Sequence, residues 1–182
     1  NTITAVLTEV SMLSKKMEAA LNDQSGRESS AEQLYLSMAC WCETNKLPGV
    51  ASFFYRQSQE ERTHMLKLIR YVNKTNGSAI VQGSKAPRRD FESLMDTMET
   101  ALESERTVSR AISGLVETAL AIKDYSTFNF LQWYVAEQHE EEALFTDIID
   151  MIKLFGKDDK GLFFLDREIP KIGANSDQVE KV

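Results

Sequence analysis

The chain has 182 residues, of which 42% are hydrophobic and 27% charged, with a formal net charge of −7. That length suits one domain, 1–182, with an ordinary packed core. The acidic balance argues against nucleic acid, which requires clustered Lys and Arg, and no apolar run approaches the ~20 residues that span a bilayer.

Eight Gly and three Pro point to long helices rather than many short strands. From about Thr4 to Asn45 the pattern is helical, with an interruption expected near Asn22 to Gly26. Its start mixes Glu9, Lys15, Lys16 and Glu18 into apolar residues, which is an amphipathic helix and not a signal peptide. Residues 1–23 are therefore expected to be a helical extension, and the protein cytoplasmic. Ala31, Leu34, Tyr35, Met38 and Cys42 then follow helical spacing. Cys40 and Cys42 diverge around one helix, so they cannot pair and are expected to be small buried residues in a reducing compartment.

Lys46-Leu47-Pro48-Gly49 breaks the first helix, and a second is expected over Pro48 to Lys74. The polar stretch from Asn76 to Arg89 is long enough to cross the length of a bundle. A third helix is expected from Asp90, as its N-cap, to Ile122. A fourth runs from Tyr125 to Phe155. After a turn at Gly156 to Gly161 come a short fifth helix over 161–170 and a tail, 171–182. The expectation is an all-α fold: a four-helix bundle of two tight hairpins joined by one long crossover, with a short C-terminal helix.

The sequence carries an internal repeat at a displacement of 77 residues. It relates Glu28 to Glu105, Glu60 to Glu137, Glu61 to Gln138, His64 to Glu141, and the turn at Leu47 to the turn at Asp124. At about 1.5 Å per residue, both arms of each hairpin place these groups roughly 20–30 Å from its turn. Residues i and i+3 share a helix face, so Glu61 and His64 address one centre, as do Gln138 and Glu141. Bare carboxylates gathered in an apolar interior would repel each other and lack solvation. A divalent cation between them reverses that sign. Four carboxylates and one imidazole suit iron or manganese better than zinc. One Glu on each of two helices with an i, i+3 pair on each of the other two is the ligand plan of ferritin-like di-iron bundles.

The run from Tyr125 to Glu142, YSTFNFLQWYVAEQHEEE, strongly resembles the fourth helix of bacterial non-haem ferritins. Glu28 with Tyr35 to Trp41, Glu60 to His64, and Gly161 to Glu168 resemble their first, second and short fifth helices. The resemblance spans about Met12 to Ile169. It implies a hollow shell of twenty-four subunits that stores iron, oxidising Fe²⁺ with O₂ or H₂O₂ at a di-iron ferroxidase centre within each subunit. Glu28, Glu61 and His64 would hold the first iron, with Glu61 bridging; Glu105 and Glu141 would hold the second, with Gln138 close by. Glu60, Glu137, Glu140 and Glu141 match a third iron position, and Tyr35 matches a tyrosine that can supply an electron.

Three departures from related sequences carry weight. The second paired motif is Gln138-x-x-Glu141, where bacterioferritins have Glu-x-x-His, which favours iron as a passing substrate over a fixed cofactor. Arg62 stands where bacterioferritins have the haem-binding Met, so no haem is expected. Phe128 and Leu131 align roughly with the acidic residues of an animal-type entry channel, which argues against such an entry. The alternative is a fixed di-iron peroxidase or oxygenase of the rubrerythrin type; this chain lacks both a second Glu-x-x-His and a Cys₄ site.

Overall fold

The computed structural model describes residues 13–156 and 158–173. Most of the expected extension and tail thus lies outside the described residues. The elements are α1 (Lys15–Thr44), α2 (Pro48–Lys74), α3 (Leu94–Ala121), α4 (Tyr125–Phe155) and α5 (Asp159–Glu168), which runs into a 3-10 turn at Ile169–Lys171. This is the expected all-α, ferritin-like four-helix bundle with one long crossover and a short fifth helix. No helix among the described residues is long and apolar enough to cross a membrane.

Helix α1 starts at Lys15, where the Ser14 hydroxyl accepts from the Met17 N–H at 3.1 Å. It runs without a break through Asn22 to Gly26, where an interruption was expected. Those polar residues anchor the crossover instead of ending the helix. Asn22 donates to the Ser78 carbonyl at 3.0 Å and accepts from the Ile80 N–H at 2.8 Å, and Gln82 donates to Asp23 at 3.1 Å. The crossover then follows α1 until Ser37 donates to the Arg88 carbonyl at 2.7 Å. Its end is pinned by Arg88, which binds the Asp96 carboxylate at 2.6 Å and lies over the Phe91 ring. Ser93, not Asp90, is the N-cap of α3, accepting from the Asp96 N–H at 3.1 Å. Asp158 caps α5 through the Gly161 N–H, so that helix begins at Asp159 rather than at 161. Cys42 is buried but Cys40 is exposed, which corrects the expectation of two buried thiols; both are free.

The repeat extends to the backbone of the two hairpin turns. Leu47 N–H bonds the Cys42 carbonyl at 2.9 Å, and Asp124 N–H bonds the Ala119 carbonyl at 2.9 Å, one repeat later. Lys46 (φ 64°) and Lys123 (φ 59°) occupy the same left-handed position, a conformation costing roughly 1–2 kcal/mol for a residue with a Cβ. Because the crossover returns the chain along α1, the two turns lie at opposite ends of the bundle. The core is split accordingly. One cluster, with Tyr35, Phe53, Phe54, Met98 and Phe145, fills the α5 end. The other, with Met17, Leu21, Leu68, Ile112 and Leu131, fills the opposite end.

Helix α2 has no side-chain cap of its own. Asp166 of α5 supplies one, accepting from the Val50 N–H at 2.9 Å, and Arg56 reaches the Pro170 and Ile172 carbonyls at 3.2 and 2.7 Å. A Cβ at Gly49 would lie 1.8 Å from the Asp166 carbonyl oxygen, so only glycine allows this approach. Gly49→Ala is expected to push α5 off the bundle and cost about 1–3 kcal/mol, the usual range for overpacking. Denaturant unfolding and amide exchange across α5 check this; unchanged protection of α5 would show that the contact yields without cost.

Candidate metal centre

The gap between the two apolar clusters is filled by side chains that each helix aims inward at one depth. Glu28 of α1, Glu61 and His64 of α2, Glu105 of α3, and Gln138 and Glu141 of α4 are all buried. Glu28, Glu61 and His64 present ligand atoms that lie within 4.8 Å of one another. Glu28 and Glu61 interact electrostatically, and His64 Nδ1 stands 3.6 Å from Glu61 Oε2. In the other half the Tyr35 hydroxyl donates to Glu105 Oε1, and Gln138 Nε2 donates to Glu105 Oε2 at 2.9 Å. Glu141 and Glu61 both feel the charge of Glu105, so the two halves form one electrostatic unit.

Burial dominates that unit. It pushes Glu28 up to about 7 and raises Glu61, Glu105 and Glu141 above the ordinary carboxyl range. Mutual repulsion among the carboxylates adds to the effect. No Lys or Arg pairs with any of these four among the described residues. His64 is pushed down to about 4, first by burial and then by the nearby Lys67 charge. Its ring is therefore neutral near pH 7 and offers a lone pair. Two buried oxygens, Glu28 Oε2 and Glu141 Oε2, have no hydrogen-bond partner, one in each half of the cluster. Buried polar atoms are rarely left so, and a pair of cations between the halves would satisfy both. The donor set of carboxylate oxygens and one imidazole fits iron or manganese.

The further acidic residues lie on the α2 and α4 side. Glu60 and Glu137 are partly buried and Glu140 is exposed, and all three raise Glu141 electrostatically. Glu137 also approaches His64 Nε2 at 3.7 Å. His139 is exposed and turned away from the cluster.

Sequence reasoning did not assign several supporting groups. Gln24, buried one turn before Glu28, donates to Glu28 Oε1 at 2.9 Å and leaves Oε2 as the open oxygen. Gln57 donates to Glu60, and Tyr134 donates to the His64 carbonyl at 2.8 Å. Trp133 meets His64 edge-on, with centroids 5.2 Å apart, beneath the Lys67 ammonium. The i, i+4 spacing of Gln24 and Glu28 was a usable signal, hidden in a run of polar residues that also resembles a helix break.

The chain is similar to known proteins over most of its length. A family model described as a ferritin-like domain matches residues 18–155. The chain is 48% identical over 164 residues to the bacterial non-heme ferritin of Campylobacter jejuni, covering 90% of this chain and 98% of that protein. It is 39% identical over 165 residues to the bacterial non-heme ferritin of Escherichia coli O157:H7, covering 91% of this chain and all of that one. Among solved structures, an open pore ferritin from the archaeon Archaeoglobus fulgidus superposes with a TM-score of 0.86 at 38% identity, covering 88% of this chain and 98% of that one.

The charge state gives a test. Folded carboxyls raised above their unfolded values hold extra protons, so the stability they contribute is complete below the unfolded values near 4.5 and is lost as pH rises through the folded ones. His64 has the opposite sign, losing its contribution as pH falls from 6.5 toward about 4. With four carboxyls against one imidazole, the metal-free protein should melt at a lower temperature at about pH 8 than at about pH 5. Glu61→Gln should flatten that slope. A melting temperature that rises with pH in the metal-free protein would contradict a cation-free acidic layer.

Proposed function

The chain belongs to the ferritin family, and from that premise we propose that its mid-bundle cluster is a ferroxidase centre that oxidises Fe²⁺ for storage as ferric mineral. The observation that carries this reading is the pair of partnerless carboxylate oxygens in a buried layer that has no counter-charge among the described residues. Glu28, Glu61 and His64 would take the first ferrous ion, with Glu61 bridging to a second held by Glu105 and Glu141 beside Gln138. Iron is here substrate and cargo, not a resident cofactor. The unequal halves support this, since a neutral amide at Gln138 holds a cation less firmly than the carboxylate at Glu61.

In this reading the chain supplies four things. The carboxyls give up the protons they hold when a cation enters, and as anionic oxygen donors they favour Fe³⁺ over Fe²⁺. The neutral His64 ring adds a nitrogen donor without adding charge. Each ferrous ion gives one electron; two electrons and two protons convert O₂ to H₂O₂, or H₂O₂ to water. Tyr35 can add a further electron, with Glu105 already placed to accept its hydroxyl proton. Glu60, Glu137 and Glu140 would receive iron beyond the centre. The assembly we propose is a hollow shell of twenty-four copies in the cytoplasm, acting on iron with O₂ or H₂O₂ and without haem. Arg62, engaged with Glu32 at 3.3 Å, stands at the position of the haem-binding Met in bacterioferritins.

Two measurements test the reading. Aerobic addition of excess Fe²⁺ should yield many ferric ions per chain in soluble form; oxidation that halts at two per chain would indicate a fixed di-iron enzyme instead. Glu61→Ala should reduce the initial oxidation rate by about 100-fold or more, as loss of a shared ligand implies, while the assembled particle elutes unchanged. A variant that oxidises iron at the parental rate would remove the centre from this location.

A further inference from the structure

We propose that Ser109 and Glu142 are positioning residues that fix the amide of Gln138 and thereby set the affinity for the second iron ion. This rests on the ferroxidase reading above. A carboxylate presents the same atom whichever way it is turned, whereas an amide presents oxygen one way and an N–H the other. The repeat places Glu61 and Gln138 at matching positions, so only the second half needs a device to orient its side chain.

That half has one. The Ser109 hydroxyl donates to Glu142 Oε1, which commits its proton and leaves its lone pairs as acceptors. Gln138 Nε2 lies 3.4 Å from Ser109 Oγ, as well as 2.9 Å from Glu105 Oε2. With the Glu105 carbonyl at 3.3 Å as a third acceptor, the nitrogen is held between Glu105 on one side and Ser109 on the other, and the carbonyl oxygen is turned away from them. One repeat earlier, Ser109 becomes Glu32 and Glu142 becomes Met65. Glu32 is engaged by Arg62 instead, and among the described residues no such relay stands beside Glu61.

Packing leaves space beside the amide. A cavity of about 110 Å³ lies between α3 and α4, with Ser109, Ile112, Val135, Gln138 and Glu142 among its walls. That is room for a few waters at about 30 Å³ each, enough for an unanchored side chain to swing. Glu142 is only partly exposed and has Arg106 at 3.9 Å on its other oxygen, while its Oε1 takes the Ser109 proton and leaves Ser109 an acceptor toward Gln138.

The test is anaerobic titration of the assembled protein with Fe²⁺, followed by the iron dependence of the initial oxidation rate. Ser109→Ala and Glu142→Ala should weaken the second ion about tenfold, the scale at which outer-shell partners act, and leave the first ion's affinity unchanged. The iron concentration for half-maximal rate should rise while the saturating rate is kept, and Ser109→Thr should restore both values. An unchanged second step in Ser109→Ala overturns the proposal, as does an equal weakening of both ions, which would mean general loosening. A parent protein that binds no second ion overturns the ferroxidase reading itself and this inference with it.

Discussion

Everything in this bundle is arranged around a layer of buried carboxyls that no positive side chain among the described residues neutralises. Removing one ion from water costs several kcal/mol even after relaxation, and Glu28, Glu61, Glu105 and Glu141 do so together. The protein tolerates this by three means visible in the structure. Neutral donors, Gln24, Gln138 and Tyr35, occupy one or more oxygens of Glu28 and Glu105. Raised pKa values let part of the charge be quenched by protons. The remaining deficit is what an incoming cation would relieve.

The internal repeat explains how a single chain assembles such a layer. Each hairpin brings an acidic residue on its first arm and an i, i+3 pair on its second, with the same left-handed lysine and the same backbone bonds at the turn. The long crossover is what turns two copies of that plan to face each other, and its anchors at Asn22 and Arg88 fix how far it travels. The two copies differ at the paired motif: one carries Glu61 and His64, and the other carries Gln138 and Glu141.

Much of this was legible in the sequence because charge at fixed intervals along apolar helices has few explanations. Glu28, Glu61, His64, Glu105, Gln138 and Glu141 were all named by spacing, and all are brought together. What was not legible depended on partners far along the chain. Asn22 to Gly26 looked like a break because its hydrogen-bond partners, Ser78 to Gln82, lie more than fifty residues away and are recognised only once folded. Asp90 resembled an N-cap, but Arg88 draws the Asp96 carboxylate outward and Ser93 takes the position. Cys40 and Cys42 share a composition signal yet face opposite sides of one helix. Gln24 and Ser109 gave no signal by type, since Gln and Ser on a helix are most often solvated.

The division of the core into two separate apolar clusters has a mechanical consequence. A beam clamped at both ends keeps its spacing at midspan whatever is placed there, provided the clamps hold. Tyr35, Phe53, Phe54 and Phe145 grip one end and Leu21, Leu68, Ile112 and Leu131 the other, so the gap between the four helices belongs to the scaffold rather than to its contents. An ion arriving there meets an aperture of preset width and must adapt to it, and when it departs the walls have no reason to close.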